Sequence, residues 1–233
     1  MKKYTLPFLL LALSLAACRS LRSHDFHTNQ SLPTRLPHLG LLVHERSFLE
    51  AFDYEFAHDV ASLNATSGPY YPDPWIAYQV TDQALQDAFN LLGNEINENL
   101  SQTSSPRYGH ARFKLLFYQC RNSGWGWTMT SFATLFVPNL VGMPVGMFKS
   151  EIELQMEIVD AEGKVLVRYT APGMGKAPMA AYYGYDNATA TRKANLLALK
   201  DAMSKIKIKL EPDVPSLASQ LEAAGTLHKQ DGK

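Results

Sequence analysis

The stretch that decides the fold is EIELQMEIVDAEGKVLVRYT, residues 151–170, because it has the pattern of a complete β-hairpin. Apolar and polar residues alternate over Glu151–Asp160, a period of two that predicts a strand with one buried face. Asp160–Gly163 has the composition of a turn. Val165–Thr170 then predicts the returning strand of an antiparallel hairpin.

Two long amphipathic helices are predicted on either side of this hairpin in the chain. Asp82–Leu100 carries apolar residues at helical spacing, with Thr81 as the predicted N-cap. A second apolar stripe covers about residues 188–210, and Pro212 follows where a helix would end. Further strands are predicted at Leu39–His44, Trp75–Val80 and Phe113–Cys120. We expect an α+β or α/β sandwich, with a mostly antiparallel sheet of four to five strands and helices on one or both faces.

The N-terminus has the features of an export signal. Lys2 and Lys3 precede an apolar run over residues 4–17, which is too short to span a bilayer comfortably. The run ends in Leu15-Ala16-Ala17-Cys18, which resembles the bacterial lipobox. The resemblance implies cleavage before Cys18, a diacylglyceryl group on its thiol and a further acyl chain, such as palmitate, on its amine. The alternative is an ordinary secretory signal with a chance cysteine.

Cleavage there would leave 216 residues with 20 basic and 22 acidic side chains, a net charge of −2 instead of zero. Both values of the net charge argue against nucleic acid as a partner. If Cys18 is acylated, Cys120 has no intramolecular partner, and we expect it to be a small buried hydrophobe. Arg19 takes the place of the aspartate that retains lipoproteins at the inner membrane. This favours the outer membrane and leaves open whether the chain faces the periplasm or the surface.

The chain divides into four predicted parts. Residues 1–17 are the signal peptide, and residues 18–37 are the lipidated N-terminus and a polar tether. A single domain covers residues 38–212, and residues 213–233 form a tail that could add a short helix.

One segment of the domain, residues 122–148, has the unusual sequence NSGWGWTMTSFATLFVPNLVGMPVGMF, 27 residues without a charge. Its glycines and prolines exclude a continuous membrane-spanning helix. Three interpretations remain open: an apolar loop or short helix buried in the fold, a loop that dips into the membrane beside the anchor, or a patch covered by self-assembly or by a partner. The candidate membrane or partner contacts are Trp125, Trp127, Phe132 and Phe136.

A second candidate surface is a loop rich in methionine and tyrosine, residue types that are enriched at recognition surfaces. Packing of this loop over the sheet edge is the alternative. Its candidate ligand or partner residues are Met174, Met179, Tyr182, Tyr183 and Tyr185.

No catalytic motif is present in the sequence, and we predict no enzyme activity, no catalytic residue, no metal and no cofactor. Pro172–Ala177 resembles a phosphate-binding loop, but Ala177 replaces the Ser or Thr that must follow the lysine. His24, Asp25 and His27 could suggest a metal site, but an unstructured tether rarely preorganises ligands, so we expect these residues to be solvated. A hydrolase with an unrecognised site among acids such as Asp53, Glu55 and Asp59 is the weakest alternative.

The lipobox, the hairpin EIELQMEIVDAEGKVLVRYTAPG and the closing helix ANLLALKDAMSKIKIKL together resemble a broad group of small envelope lipoproteins. The group includes the curli-secretion lipoprotein, the lipoprotein activators of penicillin-binding proteins and the exopolysaccharide-export lipoprotein, whose α/β sandwich resembles an anticodon-binding domain. The resemblance covers roughly residues 38–210 by element order. It implies a non-enzymatic role in envelope assembly or secretion, through a homo-oligomer or an envelope protein partner.

Overall fold

The structure is a computed structural model that describes residues 21, 23–28, 31–52, 75–76, 83–103, 106–137, 139, 143–180 and 187–227. Several of the predictions therefore lie outside the described residues. They are the lipobox with Cys18, the three tyrosines of the second candidate surface (Tyr182, Tyr183 and Tyr185) and the acids Asp53, Glu55 and Asp59.

The predicted hairpin is present and is longer than its pattern suggested. Strand β4 spans Gly146–Asp160 and strand β5 spans Val165–Met179. At the turn, an Asp160 carboxylate oxygen accepts the backbone N–H groups of Glu162 and Lys164 at 3.0 and 2.9 Å. Gly163 follows with a φ of +86°, which glycine adopts without strain.

Strand β5 continues through Pro172–Ala177, the stretch that resembles a phosphate-binding loop. A Cβ on Gly173 would lie 2.1 Å from the Ala198 carbonyl oxygen, and one on Gly175 would lie 2.0 Å from that of Ala194. The glycines therefore allow a helix to lie directly on the strand.

The sheet has five strands in the order β2-β1-β3-β4-β5, with β1 at Leu39–His44, β2 at Trp75–Ile76 and β3 at Gly109–Asn122. Strand β1 is parallel to β3, and the other neighbouring pairs are antiparallel. The α+β class and the mostly antiparallel sheet are confirmed.

The long helices cover one face of this sheet. In the described part of the chain the α-helices are α1 (Glu45–Phe52), α2 (Gln83–Asn94, continued by a π-helical turn at Glu95–Leu100), α3 (Trp125–Ala133), α4 (Asn187–Leu210) and α5 (Val214–Ala224). Phe113, Met156 and Tyr169 are neighbours across three strands, and all three are buried under the helices. On the opposite face, the next register position pairs Arg168 with Glu157 at 2.7 Å.

Helix α4 also covers the outer edge of β5 with polar side chains. The Lys209 and Lys205 ammonium groups donate to the carbonyl oxygens of Thr170 and Pro172 at 2.6 and 2.9 Å. The Asp201 carboxylate accepts the backbone N–H of Met174 at 2.8 Å.

The hydrophobic core extends beyond the predicted bounds of residues 38–212. Leu36 is fully buried, and its N–H donates to the Leu100 carbonyl oxygen at 2.9 Å. At the other end, the core includes Val214, Leu217 and Leu221 of α5. The sequence did not predict this burial on the N-terminal side because prolines separate the leucines there, so that no periodic pattern marks them.

Candidate functional site

Part of the uncharged region, Trp125–Val137, forms a short helix and a turn, which we call the aromatic segment. It is mounted on the sheet by its first residues. The Asn122 side-chain oxygen accepts the N–H of Gly124 at 2.9 Å, and the Thr128 hydroxyl donates to the Val145 carbonyl at 3.0 Å. A Cβ on Gly124 would lie 2.3 Å from the backbone nitrogen of Met147, so only glycine fits where the segment leaves the sheet.

The aromatic segment is exposed, and the interpretation that buries it in the fold is wrong. The side chains of Trp125, Phe132 and Leu135 are 72%, 61% and 83% exposed. Within helix α3, Ser131 is the buried residue. The other exposed large apolar residues of the segment are Trp127, Met129, Phe136 and Val137. All four candidate contact residues are therefore accessible, and the membrane and partner interpretations stay predictions.

The turn that ends the segment has an unusual backbone. Leu135 and Phe136 have φ values of +50° and +61°, a region that costs roughly 1–2 kcal/mol for a residue with a side chain. Hydrogen bonds fix this turn, since the N–H of Phe136 donates to the Ser131 carbonyl at 2.8 Å. The rings of Phe132 and Phe136 pack edge to face, with centroids 5.2 Å apart.

Charged residues border the segment on the two strands that carry it. Arg121 donates to a Glu151 carboxylate oxygen at 3.1 Å, and Lys149 pairs with the same oxygen. The hydrogen bond from Lys149 is the main reason why the pKa of the Glu151 carboxyl lies below its usual range.

The second candidate surface has a different geometry from the predicted loop. Met174 and Met179 lie on β5, because the strand continues through the glycines that pack under α4. Met174 is 48% exposed, whereas Met179 is half-buried beside Gly146. A ligand or partner role for these residues stays a prediction.

Sequence reasoning missed a buried polar cluster on the domain. This cluster holds residues 23–28 and 31–37, which we call the N-terminal segment. The Lys207 ammonium lies 2.9 Å from the Glu95 carboxylate, and both side chains are almost fully buried. Lys207 also lies 3.1 Å from the Thr28 hydroxyl, and that hydroxyl donates to Glu95. Asn99 donates to the Thr28 hydroxyl at 3.1 Å and to Glu95 at 3.2 Å. Burial raises the pKa of the Glu95 carboxyl, and Lys207 opposes that effect.

The sequence contains a signal for this cluster. Lys207 comes four residues after Met203, so it belongs to the apolar stripe of its helix rather than to the solvated lysines around it.

Asp25 and His27, which were predicted to be solvated, both have partners in the domain. His27 Nδ1 lies 2.8 Å from Glu98 Oε2, and Asp25 lies 3.9 Å from Lys193. Within the described ranges, no group of three or more histidine, cysteine, aspartate or glutamate side chains is arranged to hold a metal ion.

Cys120 is half-buried and has the properties of an unreactive thiol. Burial raises its pKa, and hydrogen bonds with Tyr118 and Thr191 oppose the shift. A thiol with a raised pKa is a poor nucleophile at neutral pH.

An open cleft of about 460 Å³ lies between α1 and β3. His44, Lys114 and Phe117 are among its lining residues, which include no member of either candidate surface.

Comparison with known proteins does not assign this chain to a family. No protein-family profile and no curated protein matches the chain. One matching solved structure is described as "a putative lipoprotein from Caulobacter crescentus"; it is 15% identical and covers 52% of this chain and 72% of its own, with a TM-score of 0.30. A TM-score at this level carries no argument about this chain. None of the helices in the described parts of the chain is long and apolar enough to cross a membrane.

Proposed function

We propose that this chain is a bacterial envelope lipoprotein that acts by binding rather than by catalysis. Acylated Cys18 would hold it at the outer membrane, where it would assist or scaffold the assembly of an envelope or secretion complex. The observation that carries the proposal is the exposed, uncharged aromatic segment, on a chain whose residues Leu15–Cys18 resemble a lipobox. Soluble monomeric proteins seldom expose so many neighbouring large apolar side chains without a use for them.

The titratable groups support a binding role. Glu95 belongs to an ion pair that docks the N-terminal segment, and Cys120 is a thiol with a raised pKa. The pKa of His44 and that of His110 are both lowered by burial, and the two residues lie on separate strands. These groups do not form the nucleophile, base and orienting partner that hydrolysis needs.

The partners that we propose are the membrane, through the anchor, and either a second copy of the chain or another envelope protein. Nucleic acid is not among them, because the chain has no excess of positive charge.

The test is the mass and assembly state of the protein extracted from cell membranes with detergent. We expect the N-terminal peptide to begin at an acylated Cys18, and the intact protein to extract as an oligomer or with an envelope partner. A matched Cys18→Ala variant should lose the acyl mass and should no longer fractionate with the outer membrane. An unmodified residue 18 would contradict the anchor, and a strict monomer without a partner would contradict the scaffolding role.

A second candidate function is a binding module for a glycan, for peptidoglycan or for a small ligand. The observation that favours it is the exposed Met174 on the strand that leads to the tyrosines. Titration with peptidoglycan fragments tests this function. We expect Met174→Ala to weaken binding several-fold, whereas the matched substitution Met129→Ala in the aromatic segment should leave it unchanged.

A further inference from the structure

The path of the N-terminal segment indicates where the anchor leaves the domain. Thr28 contacts Lys207 near the end of α4, whereas Asp25 lies beside Lys193 near its beginning. The chain read backwards from Thr28 to Asp25 therefore moves toward the N-terminal end of α4.

That end of α4 lies near the part of the sheet that carries the aromatic segment. The Ala194 carbonyl packs on Gly175, four residues before β5 ends at Met179. The Met179 carbonyl oxygen accepts the N–H of Val145, whose own carbonyl holds the Thr128 hydroxyl. Cys18 lies seven positions before Asp25, a reach of up to about 24 Å, and the four residues after Gly175 advance about 13 Å. The anchor can therefore reach the level of the aromatic segment.

The polar side chains of the segment favour lipid over a protein partner. The hydroxyls of the exposed Thr130 and Thr134 each donate to the backbone carbonyl four residues earlier, at 2.8 and 2.7 Å. Such bonds satisfy a hydroxyl within its own helix, so that it needs neither water nor a partner. A protein interface typically carries one hydrogen bond per 100–200 Å². This segment contains no charged residue and uses its hydroxyls internally.

The apolar side chains suit the boundary between headgroups and acyl chains. Tryptophan combines an apolar ring with one N–H donor, and it is enriched at that depth. The backbone at Leu135 and Phe136 is held in a costly conformation, and the exposed side chains of both residues extend the apolar surface. Backbone strain of this kind clusters at functional sites.

We propose that the aromatic segment inserts into the interfacial region of the same membrane leaflet that holds the anchor. The domain then rests on the bilayer by its α3 end, rather than moving freely on a tether. The proposal depends on the proposed function in one respect, namely the acylation of Cys18.

Tryptophan fluorescence tests this proposal, because the chain has three tryptophans, Trp75, Trp125 and Trp127. The full lipidated protein is reconstituted into phosphatidylethanolamine and phosphatidylglycerol vesicles, with or without lipids brominated on their acyl chains. Trp75→Phe leaves the two tryptophans of the aromatic segment. Trp125→Phe combined with Trp127→Phe is the matched control and leaves Trp75, whose backbone pairs with His44 roughly 25 Å along the sheet from the end of β3.

We expect brominated lipid to lower the emission of the Trp75→Phe protein at least about twofold and to leave that of the control nearly unchanged. Adding the exposed Phe132→Asp substitution to the Trp75→Phe protein should abolish this quenching while the acylated protein stays on the vesicles.

Three outcomes would overturn the inference. They are absence of quenching in the Trp75→Phe protein, equal quenching of the control, and protection of the two tryptophans from acrylamide without quenching by lipid. The last outcome would mean that a second protein covers the segment. Mass spectrometry of the same samples keeps the two proposals apart, since acylation without quenching contradicts the membrane contact alone.

Discussion

The N-terminal segment and the aromatic segment have the opposite burial from what their compositions suggest. Thr28 belongs to a polar stretch with prolines, yet it contacts a buried ion pair, and nearby Leu36 is fully buried. The aromatic segment is uncharged and apolar, yet Trp125 and Leu135 are mostly exposed. Whether a segment is buried depends here on the contacts available to it and not on its composition alone. Thr28 can be half-buried because Glu95 and Lys207 replace the hydrogen bonds that water would otherwise supply.

The largest effect should come from breaking the polar cluster under the N-terminal segment. We expect Lys207→Ala to lower the free energy of unfolding by about 3–5 kcal/mol, because it leaves the Glu95 carboxylate buried without its counter-charge. Urea denaturation measures the change. Lys209→Ala is the matched control, an exposed lysine of the same helix, and it should cost less than about 1 kcal/mol.

The double variant Glu95→Met with Lys207→Met sharpens this result. It should recover most of the lost stability, since no uncompensated charge remains in the interior. Equal, small losses for Lys207→Ala and Lys209→Ala would instead mean that the N-terminal segment is not held by this pair, and the contrast between the two segments would fail.

A matched pair of leucines compares the two segments directly. We expect Leu36→Ala to cost about 2–5 kcal/mol, because it opens a cavity in the core. Leu135→Ala should change stability by no more than about 0.5 kcal/mol, because its side chain is exposed. The midpoints of urea denaturation report both values. A loss at Leu135 as large as that at Leu36 would show that the aromatic segment packs into the fold.

The smallest effect concerns the half-buried His110 and the pH dependence of the free energy of unfolding. Burial, and then Arg112 and Arg107, hold the pKa of His110 below its ordinary value of about 6.5. Below that pH the unfolded chain binds a proton more readily than the folded one, so stability is full above pH 6.5 and is lost as the pH falls. We expect His110→Gln to flatten this loss between about pH 7.5 and 5.5 in urea denaturation. An unchanged slope would exclude His110 as its source.

Local patterns predicted the parts of the fold that depend on periodicity. The alternation over Glu151–Asp160 gave the hairpin, and the stripes gave both long helices. The predicted bounds of Leu39–His44 are those of β1. The parallel pairing of β1 with β3 could not be predicted in this way, because it joins residues about 70 positions apart and leaves no local signal.

The sequence composition identified the residues of the candidate site but did not predict that they are exposed. The absence of charge over residues 122–148 singled out the four aromatic residues, but an apolar run is equally compatible with a core. The exposure of the aromatic segment follows from the close contact between Gly124 and strand β4. The backbone of β4 leaves no room there for a side chain, and helix α3 points away from the core. That contact depends on a residue more than 20 positions away in the chain.

The hydrogen bonds from helix α4 to the rim of β5 limit how copies of this protein can associate. A lipid anchor would confine many copies to two dimensions, where free strand edges meet often and aggregate. The outward-facing groups of Thr170, Pro172 and Met174 are already occupied by Lys209, Lys205 and Asp201. This rim is therefore a poor template for a further strand, and copies crowded on a membrane would be protected there against amyloid-like growth.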